Sequence, residues 1–174
     1  MTLNEVTILL FLIIILLTAV VSDFGFYKIP NSLTYTAMIV AIVYHTYMKG
    51  LAGFLFSIEG IGVGIAIMII PYLMGGMGAG DAKLMGAVGG LLGPKDAFMA
   101  FLYSAIIGGI YALVLLIIHR YLKETAKRYW AILKTFIFTK EFIYIPSPKK
   151  EKKPKLCYGV AIALGTLISV VWQI

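Results

Sequence analysis

The 174 residues would make one ordinary domain, yet 61% are apolar, only 13% are charged and the mean hydropathy is +0.96. A soluble domain has about 45–50% apolar and about 25% charged residues, so lipid must be the solvent and soluble folds are excluded. The formal charge of +7 is concentrated, with eleven of the fifteen Lys/Arg between Arg120 and Lys155; a membrane surface explains that cluster before nucleic acid does, and no nucleic-acid partner is expected.

A spanning helix needs roughly 20 apolar residues. Five stretches qualify, at about 3–21, 32–48, 51–74, 97–118 and 156–174, and a sixth at about 82–93 is short and Gly-rich, bounded by Asp81 and by the turn Pro94-Lys95-Asp96. The expected fold is therefore all-α, a polytopic membrane protein of about six transmembrane helices forming one domain over 1–174. The first helix is expected to be retained: Glu5 but no Lys or Arg precedes it, and Val20-Val21-Ser22 is a poor signal-peptidase site. Gly60-x-x-x-Gly64, Gly86-x-x-x-Gly90 and Gly89-x-x-x-Gly93 are small-residue steps at which helix backbones can approach closely.

Loop charges give the orientation. Lys28, Lys83 and the eleven basic residues of 120–155 follow helices one, three and five, thirteen in all, against Lys49 and Lys95 on the other side. Positive-inside bias then puts both termini outside and the long loop in the cytoplasm of a multi-pass cell-membrane protein. That loop, 119–155, carries Leu122, Ala126, Tyr129, Leu133 and Phe136 at three- and four-residue steps, the pattern of an amphipathic helix on the inner leaflet. Lysines 149, 150, 152, 153 and 155 follow in a Lys/Pro-rich linker suited to anionic lipid.

The chain has three aspartates. Asp23 stands where the first helix leaves the membrane, and Asp81 follows the glycine-rich run Gly75-Gly76-Met77-Gly78-Ala79-Gly80. Two full spans separate them, so they belong on one face, the cytoplasmic one if the short fourth helix crosses. Asp96 belongs to a turn on the other face. Two carboxyls in contact near a low-dielectric boundary share one proton, so that the ionised partner can activate water while the neutral one polarises a carbonyl. Gly78 and Gly80 would admit unusual φ/ψ values and close approach of an extended peptide beside Asp81. The competing reading of each Asp is a helix cap.

Other chemistries lack their residues. Asp81-Ala82 stands where a phosphate loop requires Lys-Ser/Thr. The single cysteine, Cys157, rules out a disulfide framework, a thiolate zinc site and CxxC chemistry, and is expected to pack inertly. His45 and His119 adjoin no nucleophile and are expected at the two interfaces, and no HExxH or other metal cluster occurs, so neither metal nor cofactor is expected. Glu59, alone within its span, is expected to be protonated or turned to a wet cleft.

With these residues in view, three segments resemble the type IV prepilin peptidases. Asp23 followed by Lys28-Ile29-Pro30-Asn31-Ser32-Leu33-Thr34 is similar to that family's D…IPN.LT segment; Gly78-Ala79-Gly80-Asp81-Ala82-Lys83-Leu84 to its GxGD.KL segment; Tyr158-Gly159-Val160-Ala161-Ile162-Ala163-Leu164-Gly165 to its YG.A.ALG helix. The resemblance implies a membrane aspartyl endopeptidase that cuts the basic leader from prepilin-like membrane proteins on the cytoplasmic side. It carries Asp23 and Asp81 over as the catalytic pair, with Gly78, Gly80 and Lys83 as motif residues. Lys83 is either a positive-inside residue or a charge that tunes Asp81. The chain resembles the short, peptidase-only form of tight-adherence (Flp) pilus systems, lacking the paired CxxC motifs of bifunctional members, so methyltransferase activity is not expected. Two other readings remain: a presenilin-like protease cutting within the bilayer, and a small transporter or assembly scaffold with the acids as ion ligands.

Overall fold

The computed structural model describes residues 3–118, 130 and 157–172. They form α1 (Leu3–Phe26), α2 (Asn31–Leu73), α3 (Ala79–Leu92), α4 (Pro94–Ile118) and α5 (Tyr158–Val171), with no strand among the described residues. The amphipathic helix expected in 119–155, and His119 with it, lies outside the described residues, where Trp130 alone is placed. Two compact units divide the chain, Met1–Gly108 with Leu156–Ile174, and Gly109–Lys155. Both aspartates belong to the first.

Helix α2, at 43 residues, would be about 65 Å long if straight, twice the roughly 30 Å of a bilayer core. It doubles back instead. Gly50, at φ 59° and ψ −138°, breaks it, and the Ser57 hydroxyl reaches the Ala41 carbonyl at 3.2 Å although the two residues are 16 apart in sequence. The two spans expected at 32–48 and 51–74 are thus the arms 31–49 and 51–73 of one hairpin. Only glycine takes such a backbone conformation without a steric penalty. The second arm ends in a Schellman turn: Gly75 at φ +71° sends its N–H to Tyr72, and the Gly76 N–H reaches back to Pro71 at 3.1 Å.

Helix α3 packs along this hairpin more extensively than on any other helix. Gly60 lies against the Gly89 backbone and Gly64 against Met85 and Gly86, each so close that a Cβ would collide with main chain. This is the use expected of the small-residue steps. The Ser57 hydroxyl also lies 3.1 Å from the Gly90 carbonyl, and His45 Nε2 donates to the Leu91 carbonyl at 3.0 Å. His45 is therefore a buried residue holding the far end of α3. Glu59 is exposed, next to the Gly60 that meets α3.

Two boundaries differ from expectation. Pro94-Lys95-Asp96 is no turn but the first turn of α4, with Pro94 at the position where its missing N–H does least harm; the corner is made by Gly93 alone, at φ 92° with the Phe56 ring beside it. Helix α3 starts at Ala79, so Asp81 lies within its first turn.

Lipid exposure follows helical period. On α1, Leu10, Ile14, Leu17 and Val21 are exposed, while Leu12, Ile15, Leu16 and Ala19 are buried against the other helices. Such an apolar outer stripe is untenable in water and ordinary in a bilayer. Three helices are long and apolar enough to cross a membrane: Val6–Phe26, Asn31–Leu73 and Pro94–Leu115. Helices α3 and α5, at 14 residues each, reach only about 21 Å. Most of α3 is shielded by protein, with Leu84, Met85, Ala87 and Val88 no more than 1% exposed.

Because the α2–α3 contact is backbone on backbone, Gly60→Ala is expected to lower stability by about 1–3 kcal/mol through overpacking. Gly62, which has open space where a Cβ would stand, is the control. Thermal melts of both variants in detergent check this, with Gly62→Ala melting as wild type does.

Candidate active site

Asp23 continues the buried stripe of α1, one helical turn beyond Ala19, and is only 6% exposed. Its helix ends just after it. The Tyr27 N–H closes back on the Asp23 carbonyl at 2.9 Å, and Tyr27 itself sits at φ 52°, a left-handed conformation unusual for a residue with a side chain. The Asp23 carboxylate does not cap the helix that follows it. Its Oδ2 accepts the Gly159 N–H at 2.8 Å, at the start of α5, 136 residues further along the chain.

Asp81 is held in a matching way by a different helix. Its Oδ2 accepts the N–H of Gly78, the residue capping α3, at 2.8 Å, while the Asp81 N–H meets the Gly78 carbonyl at 3.1 Å. Gly78 has no side chain to return a second capping bond. Both carboxylates thus stand at helix N-termini, where unpaired N–H groups and the helix dipole favour negative charge. Asp81 thus caps the helix it begins, whereas Asp23 meets the start of α5 and not the helix that follows it.

The structure brings the two acids into one electrostatic environment. Asp81, 8% exposed and outside the long apolar spans, has its carboxyl pushed up from 3.8 to about 6: burial contributes most, the Gly78 N–H opposes it, and the Asp23 charge raises it further. The Cys157 thiol is buried, with its Sγ 3.8 Å from the Asp23 carbonyl oxygen. Among the described residues no three His, Cys, Asp or Glu gather as a metal site would require.

The glycines act through space rather than through unusual torsions. Gly78 has φ −89° and ψ 160°, an extended conformation open to any residue, and Gly80, inside α3, leaves room for Ile29, whose Cβ would stand 3.2 Å from an added Cβ. The left-handed glycine of this run is Gly75. Lys83 donates to Asn31 Oδ1 at 2.8 Å and lies 5.0 Å from the centre of the Tyr35 ring, which ties the glycine-rich segment to the start of α2. Asp96, in the first turn of α4, is not among the groups acting on the pair.

Gly159 was not singled out as a site residue in the sequence. A Cβ there would stand 2.9 Å from Asp23 Oδ2 and 3.3 Å from its Cγ; the only sequence signal was its place in the Tyr-Gly pair that opens the last helix. Gly159→Ala is expected to break the hydrogen bond to Asp23, and with it to lower the rate of the reaction at this pair by about 10- to 100-fold, the worth of a bond to a charged group. Gly62→Ala, with open space where a Cβ would stand, is expected to change it far less. Rates measured on membranes with equal amounts of each variant distinguish the two.

The sequence profile described as the type IV leader peptidase family matches residues 10–113, which include both aspartates and the glycine-rich turn and stop before α5. No curated protein and no solved structure matches the chain. A match over more than half the chain, with its two acids buried together, establishes that this protein belongs to the type IV leader peptidase family.

Proposed function

We propose that the protein is a membrane aspartyl endopeptidase that removes the N-terminal leader of type IV prepilin-like proteins at the cytoplasmic face of the cell membrane. The observation that carries this reading is the buried pair Asp23 and Asp81, contributed by separate helices and each anchored by a backbone N–H. Family membership supports aspartic peptidase chemistry in general.

The charge at Asp23 is one of the causes that push the Asp81 carboxyl up to about 6, so the two acids titrate as a coupled pair that holds one shared proton in the competent state. A water between them gives its proton to the ionised carboxylate as its oxygen attacks the leader's scissile carbonyl, and the proton on the other carboxyl stabilises the oxygen that becomes negative. Collapse of the tetrahedral intermediate passes a proton to the departing nitrogen and restores the pair. Gly78 and Gly80 keep the wall beside Asp81 low enough for an extended peptide. Lys83, through Asn31 and Tyr35, keeps that wall in place.

Sidedness rests on six crossings: α1, the two arms of α2, 82–93, α4 and α5. The short third and fifth helices suit an enzyme whose reacting groups must meet water, because they leave the bilayer thin at the site. With the fourth segment crossing, the thirteen positive charges and both aspartates share the cytoplasmic face, and both termini are outside. The position of Asp23 in the last turn of α1, not mid-span, favours a cut at the membrane face over one inside the bilayer.

Wild type, Asp23→Asn and Asp81→Asn, each co-expressed with a prepilin from the same genome, are expected to differ by at least about 10²–10⁴-fold in leader removal, the usual contribution of a general acid or base. Product masses should place the cut before the hydrophobic segment. A cut inside that segment would support the intramembrane reading, and processing that survives both substitutions would return the chain to the transporter or scaffold reading. The rate is also expected to fall as pH rises through about 6, because the shared proton is lost there; a rate–pH profile with chemistry rate-limiting checks this, and a rate that climbs through pH 6 counts against the shared-proton mechanism.

A further inference from the structure

A second concave feature lies on the other side of α3. It is a groove of about 300 Å³ lined by Tyr35 and Met38 from the first arm of α2, Ile65, Ile69 and Tyr72 from the second arm, and Ala79, Ala82 and Lys83 from α3. At about 100° per residue, Ala79, Ala82 and Lys83 point roughly 150° round the helix from Asp81, which places the groove away from the acid pair. Its polar groups gather at one end, where Lys83, Tyr35 and Tyr72 lie near the helix termini at Asn31 and Leu73. Met38, Ile69 and Ile65 lie one to two turns deeper. Tyr35, Ile69 and Tyr72 are exposed, so the groove opens to the surrounding bilayer.

A cation at the rim with an apolar channel below it matches an amphiphile with a negative head and a hydrocarbon tail. The Lys83 ammonium gives one N–H to Asn31 Oδ1, leaving donors for a second acceptor, and the inner leaflet, on the side of the basic loops, is rich in anionic lipid. We propose that this groove holds one acyl chain of an anionic phospholipid whose phosphate pairs with Lys83. The lipid wedges between the open end of the α2 hairpin and the first turn of α3, and so braces the turn that carries Asp81. The site rests on membrane insertion and on the orientation proposed above, and not on the peptidase chemistry.

The test uses the full chain purified in detergent, incubated with equal amounts of phosphatidylglycerol and phosphatidylcholine of identical chain length, and read by native mass spectrometry. Wild type is expected to retain one phosphatidylglycerol about fivefold better than phosphatidylcholine, the scale of one lysine at an anionic surface. Lys83→Gln is expected to remove the preference while keeping phosphatidylcholine binding. Ile69→Trp, a filling substitution at an exposed position, is expected to reduce binding of both lipids. Equal retention of the two lipids by wild type, or a preference that survives Lys83→Gln, overturns the proposal. So does displacement of phosphatidylglycerol by an equimolar Leu/Ala helical peptide, which would give the groove to a peptide. Leader cleavage is not the readout, so failure here leaves the peptidase reading standing.

Discussion

Two carboxyl groups cannot be buried within reach of each other's field without something to hold them, and the architecture follows from how that is arranged. Each carboxylate stands at the N-terminus of a helix and accepts a backbone N–H, Asp23 from Gly159 and Asp81 from Gly78. The fixed partial charge of a helix start offsets part of the repulsion and of the desolvation cost. A backbone donor also cannot rotate away as a side chain can. The acids are thereby kept oriented while still competing for one proton.

The rest of the membrane unit places those two helix starts. Helix α1 delivers Asp23 as the last member of its buried stripe. The hairpin of α2 returns the chain to the level at which it began, and its Schellman turn passes directly into the glycine-rich segment that caps α3. Contacts through Gly60 and Gly64 draw α3 against the hairpin, while His45 and Ser57 fasten its other end. Helices α1, α3 and α5 meet one another, which joins an early, a middle and a late part of the sequence around the acids.

Much of this was legible in the sequence. Apolar length pointed to the helices, and the scarcity of aspartate drew attention to Asp23 and Asp81, which the structure buries. The small-residue steps gave the α2–α3 contact. What was not legible depended on long-range backbone partners. No composition or periodicity shows that the Gly159 N–H finds a carboxylate from α1, that Lys83 turns to Asn31, or that His45 reaches a carbonyl of α3. Local punctuation was also ambiguous: Pro94 reads equally as a turn or as the first residue of a helix, and Gly80 suggests torsional freedom where the need is for space beside Ile29.

The bond between Gly159 and Asp23 spans 136 positions of the chain, and this has a consequence for biogenesis. At synthesis rates of about 5–20 residues per second, roughly 7–27 seconds separate the emergence of the aspartate from that of its donor. During that interval the acid lacks its final partner and the wall beside it lacks its last helix. A nascent or truncated chain therefore cannot present the finished pair to the hydrophobic segments being inserted beside it. The surroundings of Asp23 are complete only when the last helix is in place, a form of self-timing built into the order of the helices.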